Sequence, residues 1–279
     1  MVLNFKDHSR TAYIGFKYIY PVVSRRAEGV SLGINLNPNN ACNWRCVYCQ
    51  VDNLIRGKPD DIELERLEYE LDHMLNLIIN GDYIRLNAPP NLARFNDICL
   101  SGNGESTLSK QFYQVIEIVE KLRFKYKLGN EVKSILITNG SEIDRVDIQN
   151  SLIKLQQLNG EIWFKLDRAT PSGINQVNQV NLDVNSIAKR LLSACQIITT
   201  YIQTCMFRIE GLDPSQDELN AYVEFVTQFR SQIKGVLLYS TIRNPALQEG
   251  HNVSSVSLEF LANLAAKLQS NNIKVKYYL

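Results

Sequence analysis

The chain has 279 residues, 30 Lys+Arg against 29 Asp+Glu, 45% hydrophobic residues and six cysteines. That length suits one large domain or two small ones, and a chain near this size buries about 75% of its unfolded surface, so it needs no disulfides to hold a core. The formal net charge of +1 excludes a globally basic field that would by itself argue for a nucleic-acid partner, and 14 Gly with 8 Pro excludes a disordered composition.

The segment Met1 to His8 has no apolar signal core, and no stretch approaches the roughly 18 consecutive apolar residues of a membrane span. The longest uncharged run, Leu191 to Phe207, is broken by Ser193, Gln196, Thr199, Thr200, Gln203 and Thr204, and reads as a helix end followed by a buried strand. The expectation is a cytoplasmic protein with no membrane partner, whose cysteines are thiols or metal ligands.

Short β-branched runs bounded by Gly, Asn, Asp or Pro then follow one another along the chain. The predicted strands are Ser31–Asn37, Asp97–Gly102, Ser134–Asn139, Glu161–Asp167, Tyr201–Phe207, Gly235–Thr241 and Ile273–Leu279. Between them the apolar period lengthens to that of helices at Ile62–Ile79, Phe112–Leu122, Asp147–Leu158, Asn185–Cys195, Gln216–Phe229 and Ser257–Leu268. Asp213-Pro214 and Ser257 supply start signals for the last two. Residues 81–96, with Pro89-Pro90, are the expected excursion from the core. Repeated βα units form either an open doubly wound sheet or a closed or partial barrel. In both, chemistry sits where strands end.

The loop after the first predicted strand reads Cys42-Asn43-Trp44-Arg45-Cys46-Val47-Tyr48-Cys49, a C-x3-C-x2-C run. Three thiolates within eight residues can converge on one soft metal centre. A structural zinc site wants four ligands, commonly in two pairs, and the fourth would have to be Cys99, His73 or His8, all far away in sequence. Three thiolates suit a cluster that keeps one iron open.

Here the sequence resembles the radical S-adenosylmethionine superfamily, whose signature is C-x3-C-x-Φ-C with an aromatic Φ, the position of Tyr48. The resemblance implies an α/β fold, a partial (β/α)6 TIM-like barrel of parallel strands. It implies that Cys42, Cys46 and Cys49 ligate a [4Fe-4S] cluster, that the open iron takes S-adenosyl-L-methionine, and that Tyr48 lies beside the adenine. Gly102-Asn103-Gly104-Glu105, at the end of the second strand, looks like the superfamily's Gly-Gly-Glu motif, with Asn103 in place of a glycine. In related sequences the segment holding Asn139 lies near the nucleoside. Ser24-Arg25-Arg26 followed by Ser31-Leu32-Gly33-Ile34-Asn35 is shared with the branch similar to wyosine-base synthases, although no cysteine precedes Cys42 and none follows Cys205. The resemblance runs from about Tyr20 to Pro245 within a single domain of 1–279, residues 1–19 and 255–279 being extensions.

Strand alternation adds candidates. Lys165 and Asp167 project to one face, as do Gln203, Cys205 and Phe207, and Tyr239, Thr241 and Arg243. Lys165 and Asp167 form either an internal ion pair or part of a catalytic site. Cys205 is either an inert buried thiol or a hydrogen-atom relay. Gln203 and Tyr239 are taken with Tyr48, Gly102, Asn103, Gly104, Glu105 and Asn139 as cofactor contacts. A one-electron reductant, flavodoxin or ferredoxin, is the implied partner. The substrate is left as an RNA base, a small metabolite or a peptide. Net charge does not favour RNA, although Ser24-Arg25-Arg26 and Lys121, Arg123, Lys125 and Lys127 could form local patches. A non-catalytic zinc or iron–sulfur interaction protein on the same scaffold is the alternative. His73 is expected to be structural, and His8 and His251 to lie on the surface.

Overall fold

A computed structural model describes Leu3 and residues 15–279, so the expectation for His8 lies outside the described residues. The strands are β1 (Ile19–Ser24), β2 (Gly29–Ile34), β3 (Ala41–Cys42), β4 (Ile55–Arg56), β5 (Phe95–Leu100), β6 (Lys133–Thr138), β7 (Gly160–Lys165), β8 (Thr199–Cys205), β9 (Phe207–Ile209), β10 (Gly235–Tyr239), β11 (Val253–Ser255) and β12 (Val275–Tyr278). The helices are α1 (Leu64–Ile79), α2 (Tyr83–Asn87), α3 (Phe112–Lys125), α4 (Val146–Gln157), α5 (Pro171–Asn178), α6 (Val184–Ile197), α7 (Gln216–Gln228) and α8 (Leu258–Gln269).

Eight strands form one curled sheet in the order β1-β2-β5-β6-β7-β8-β10-β12. β1 pairs antiparallel with β2, and every other neighbouring pair is parallel. Two small ribbons, β3–β4 and β9–β11, sit outside it. The expected α/β half-barrel is therefore present, with each predicted strand and helix at its place and ends shifted by a few residues. The predicted first strand, Ser31–Asn37, ends at Ile34, because Asn35 and Asn37 turn their amides to the loop beyond.

Along each parallel strand, alternate side chains divide the work. Ile98, Leu100, Leu136, Ile162, Phe164, Ile202, Val236 and Leu238 face the helices and join one continuous core with Leu71, Val115, Leu152, Leu191, Val226 and Leu264. Each such fully buried aliphatic or aromatic side chain contributes about 1.5–3 kcal/mol relative to exposure. The other residues of the same strands face the lumen. The helices are closed as their sequences dictate: Ser257 accepts a hydrogen bond from Phe260 N–H at the head of α8, and Ser215, rather than Asp213, caps α7 through Glu218 N–H. Asp213 pairs instead with Arg208 at 2.8 Å.

Strand β1 was not expected. It carries Pro21, which fits because β1 is a sheet edge and the missing N–H costs no ladder bond. Tyr20 lies flat over Gly33, where a Cβ would come within 2.2 Å of the ring. Buried Glu70 of α1 accepts the N–H groups of Lys17 and Tyr18 at 2.9 and 2.8 Å, which fixes the entry of the strand. At the far end, β12 pairs in register with β10, so the C-terminal segment is built into the sheet.

Candidate functional site

The cysteine loop leaves the end of β2 and is held on two sides. On one side Asn35 Oδ1 accepts from Asn37 N and Asn103 N, both at 3.0 Å, while Asn37 Nδ2 donates to the Ala41 carbonyl at 2.8 Å. A Cβ on Gly102 would lie 2.3 Å from Asn35 Oδ1, and one on Gly104 would lie 2.1 Å from the Ala41 carbonyl. The two glycines let the end of β5 pack against the cysteine loop itself. On the other side Val47 N donates to Val177 O at 2.9 Å, Arg45 N to Asn178 O at 3.2 Å and Ala246 N to Cys49 O at 2.8 Å. Arg45 also meets Glu249 at 2.6 Å.

The loop roofs a cavity of about 260 Å³ at the C-terminal ends of the parallel strands. Cys42, Cys46, Cys49, Tyr48, Gly102, Asn103, Gly104, Glu105, Asn139, Lys165, Gln203, Cys205 and Tyr239 all line it. The structure thus brings together residues spread over some two hundred positions. Asp167 is the exception: it stands behind Tyr48 and does not reach the cavity surface.

Asp167 ties four elements together. Its Oδ2 accepts from the Tyr48 hydroxyl at 2.6 Å and from Asn178 Nδ2 at 2.9 Å, and its Oδ1 accepts from Cys205 N at 3.0 Å. Lys165 Nζ donates to the Tyr48 oxygen at 2.5 Å and lies 4.9 Å from the ring centre. Burial, with the neighbouring Asp167 carboxylate, raises the Tyr48 phenol well above its ordinary value, so it remains a donor. Burial alone would lower the Lys165 ammonium. Its acidic neighbours Tyr239, Asp167, Cys46 and Cys205 outweigh burial, and its net shift is upward. Asp167 is engaged by Tyr48, Asn178 and Cys205 and is not among the residues that line the cavity.

Glu105, 3% exposed, is engaged by the protein: Oε1 accepts from Thr107 Oγ1 at 2.5 Å and Thr138 Oγ1 at 2.8 Å, and Oε2 from Asn139 N at 2.7 Å. Burial raises its carboxyl, and these bonds work against the rise. It latches the exit of β5 to that of β6. Asn139 continues the latch, donating to Asn43 Oδ1 at 2.9 Å, and Asn43 donates to Ser141 at 2.7 Å.

Three features were missed in the sequence. Asn178, at the end of α5, donates to Cys46 Sγ at 3.2 Å as well as to Asp167. Trp163 and Tyr20 line the lumen. Arg26, read as part of a surface patch, points inward, its guanidinium carbon 4.6 Å from the Tyr239 ring centre and 5.7 Å from that of Trp163. The other basic run is largely neutralised: Lys121 meets Glu68 at 2.5 Å, Lys125 meets Asp72 at 2.6 Å, and Arg123 is buried. His73 of α1 packs edge-on to Phe16, and His251 is exposed.

Burial pushes the Cys42 thiol up to about 11 and that of Cys46 up to about 12, with Lys165 acting against the rise at Cys46. Loading a metal centre would therefore release protons. Among the described residues no three Cys, His, Asp or Glu side chains enclose a single ion. A zinc ion draws its thiolates to one point at about 2.3 Å, whereas the thiolates of a [4Fe-4S] cube each bind a different iron. Three cysteines line one cavity, two of them packed on Val51, Leu54 and Leu247, a soft thiol donor set of the kind that holds a metal centre.

No family model matches the chain. It is 27% identical over 215 residues to a UPF0026 protein from Synechocystis, covering 76% of this chain and 71% of that one. It is 27% identical over 155 residues to a UPF0026 protein from Methanocaldococcus jannaschii, covering 53% of this chain and 43% of that one. A protein named GTPase Obg from Brachyspira hyodysenteriae is 24% identical over 215 residues, covering 75% of this chain. This chain spans 28% of that protein's length, and the activity in its name stays with it. Among solved structures, a radical SAM methyltransferase from Sphaerobacter thermophilus superposes with a TM-score of 0.59 at 11% identity, over 92% of this chain and 68% of that one. Streptococcus suis SuiB, in a structure with S-adenosylmethionine bound, gives 0.57 at 12% identity, over 90% and 48%. The fold is the one these proteins share. Among the described residues no helix is long and apolar enough to cross a membrane.

Proposed function

We propose that this chain is a radical S-adenosylmethionine enzyme, with Cys42, Cys46 and Cys49 holding a [4Fe-4S] cluster over the barrel lumen. One observation carries the reading. The three cysteines and the residues expected to contact S-adenosylmethionine, drawn from five separate loops and strands, line one cavity at the strand ends of a fold shared with such an enzyme. A cluster held there would, once reduced, supply the one electron that splits bound S-adenosylmethionine into methionine and a 5′-deoxyadenosyl radical, which would abstract hydrogen from a substrate.

The chain's own residues orient and shield. Asp167 and Lys165 fix the Tyr48 ring from both ends of its hydroxyl, and Phe207 backs it at 5.2 Å between centres. Glu105 and Asn139 hold the Gly102–Glu105 segment against the cysteine loop, so the wall facing the cofactor is formed before it binds. Trp44, Val51 and Leu54 line the cavity beside the cysteines and exclude water. Cys205 faces the same space as Gln203 and Tyr239, where a substrate would meet the cofactor. Flavodoxin or ferredoxin would supply the electron, and a reducing cytoplasm suits the free thiols.

Anaerobic reconstitution with iron and sulfide tests the reading. The expected product is brown, carries about four irons per chain and forms 5′-deoxyadenosine on reduction, while Cys42→Ala, Cys46→Ala and Cys49→Ala each fail to hold the cluster. A colourless zinc protein, or a cluster indifferent to S-adenosylmethionine, would overturn it in favour of a non-catalytic interaction protein.

A further inference from the structure

The lumen has a floor as well as a roof. The floor is the turn between β1 and β2, residues 25–28, and it is fastened from outside. Arg94 Nε donates to the Glu28 carbonyl at 2.9 Å, Asn96 Nδ2 donates to the Ala27 carbonyl, and the Tyr278 hydroxyl donates to the Arg26 carbonyl at 3.4 Å. Glu28 pairs with Arg94 at 3.6 Å and with Lys276 at 3.5 Å. The turn is pinned, and it sends two adjacent guanidiniums, Arg25 and Arg26, into the cavity.

Neither guanidinium has a carboxylate within 4.0 Å among the described residues. Arg26 is held by the faces of Tyr239 and Trp163. Arg25 has a buried Nη1 with no hydrogen-bond partner among the described residues. Gln203, 1% exposed on the neighbouring wall, has a buried Nε2 in the same condition. Tyr239, whose ring carries Arg26, lies opposite Cys205 in the sheet, two residues from Gln203 on the same face, and Arg25, Arg26 and Gln203 line one cavity. Buried donors without acceptors, and adjacent like charges without a counter-ion, are costly and rare in a settled core. The charged residues lining the cavity are Arg25, Arg26, Lys165 and Arg243 against Asp97 and Glu105, in a chain whose total is +1. Glu105 is saturated by its latch, and one Asp97 oxygen is held by Ser31.

We infer that the floor of the cavity is a subsite for an oxyanion, a carboxylate or phosphate group carried by a small-molecule substrate, bound by the Arg25 and Arg26 guanidiniums and the Gln203 side-chain amide. Guanidiniums suit this work because their planar N–H fork matches two oxygens at once, and Arg26 is already oriented by its two rings. Burial of the floor suits a small molecule. The inference rests on the reading above, in that the substrate shares the cavity with S-adenosylmethionine, whose own carboxylate is the other oxyanion that could reach these donors.

The experiment separates the two sources and does not depend on turnover. The reconstituted protein is titrated with inorganic phosphate and, separately, acetate, with sodium chloride at matched ionic strength as control, reading melting temperature and tryptophan fluorescence. The expected result is a saturable rise in melting temperature beyond the salt control, with a fluorescence change from Trp163. In Arg26→Gln the anion affinity falls about tenfold or more. Gln203→Leu serves as the variant certain to test the site in a folded protein. It removes a donor that has no partner, so its melting temperature without anion equals or exceeds the parent's, while anion affinity falls about threefold or more. Affinity for S-adenosylmethionine, measured on Arg26→Gln, stays within about twofold of the parent. No saturable anion effect, or equal effects in parent and variants, overturns the subsite. A loss of S-adenosylmethionine affinity in step with phosphate affinity overturns its assignment to a substrate. A protein that binds phosphate as described but never binds S-adenosylmethionine would leave the oxyanion site standing and remove the proposed function.

Discussion

The two faces of the sheet are made by the same strands, yet they obey different rules. On the helix side, Ile98, Leu100, Leu136, Ile162, Phe164, Ile202 and Leu238 are fully enclosed by one another and by the helices, and packing alone accounts for every one of them. On the lumen side, the alternate positions hold Asp97, Cys99, Trp163, Lys165, Gln203, Cys205 and Tyr239, two of them ionisable as acid and base, and Asp97 and Gln203 each keep a buried polar atom without a hydrogen-bond partner among the described residues. A face that spends stability in this way is one shaped for a ligand. The contrast assigns stability to one set of residues and function to the other, and it can be broken or sharpened residue by residue.

The largest separation is expected at the cysteines. Cys46→Ala should abolish cluster assembly and 5′-deoxyadenosine formation while changing the urea midpoint of the cluster-free protein little. A variant that unfolds would make the loop structural instead. The reverse is expected at Phe164→Ala, which should cost about 3–5 kcal/mol in urea unfolding while the folded fraction still takes up its iron. A full-stability Phe164→Ala protein without a cluster would erase the distinction between the faces.

Asp97 carries the next effect. Burial lifts its carboxyl to about 7, against an unfolded-chain value near about 4. Between those two pH values the folded protein holds a proton that the unfolded chain has lost. Stability therefore declines by a few kcal/mol as pH rises through that window and levels above it. Asp97→Asn should flatten that decline in urea titrations from pH 4.5 to 8 (about the window's width). An unchanged slope would place the titrating group elsewhere.

The smallest effect belongs to Asn178, the residue at the end of α5 that touches a cysteine. Loss of its bond to Cys46 Sγ in Asn178→Leu should move the cluster potential negative by on the order of 40 mV, the one-electron equivalent of a hydrogen bond worth about 1 kcal/mol. A destabilised protein with an unmoved potential would make Asn178 purely structural.

Much of this contrast is legible in the sequence. Period-two alternation in β7 and β8 places Lys165, Gln203 and Cys205 on one face, and the apolar remainder on the other, whatever the fold's closure. The C-x3-C-x2-C spacing marks the roof, because thiolates at that density have few other uses. What stayed hidden depends on contacts that leave no local pattern. Asn178 ends α5, whose Thr170-Pro171 start signal was present in the sequence but whose apolar stripe of Ile174 and Val177 is too short to read. β1 hid behind Pro21, which argues against a strand unless its edge position is known. The inward aim of Arg26 follows only from Trp163 and Tyr239 meeting it across the lumen. Gly102 and Gly104 matched a family motif in the sequence, but only the structure shows their close approach to Asn35 and Ala41 of the cysteine loop.

The central claim is that the cysteine loop and the strand ends form one site for a cluster and S-adenosylmethionine. Electron paramagnetic resonance of the anaerobically reconstituted, reduced protein, recorded with and without S-adenosylmethionine, tests it most directly. A reduced [4Fe-4S] signal whose line shape changes when S-adenosylmethionine is added is the predicted result. A cluster signal that is identical with and without it would contradict the account.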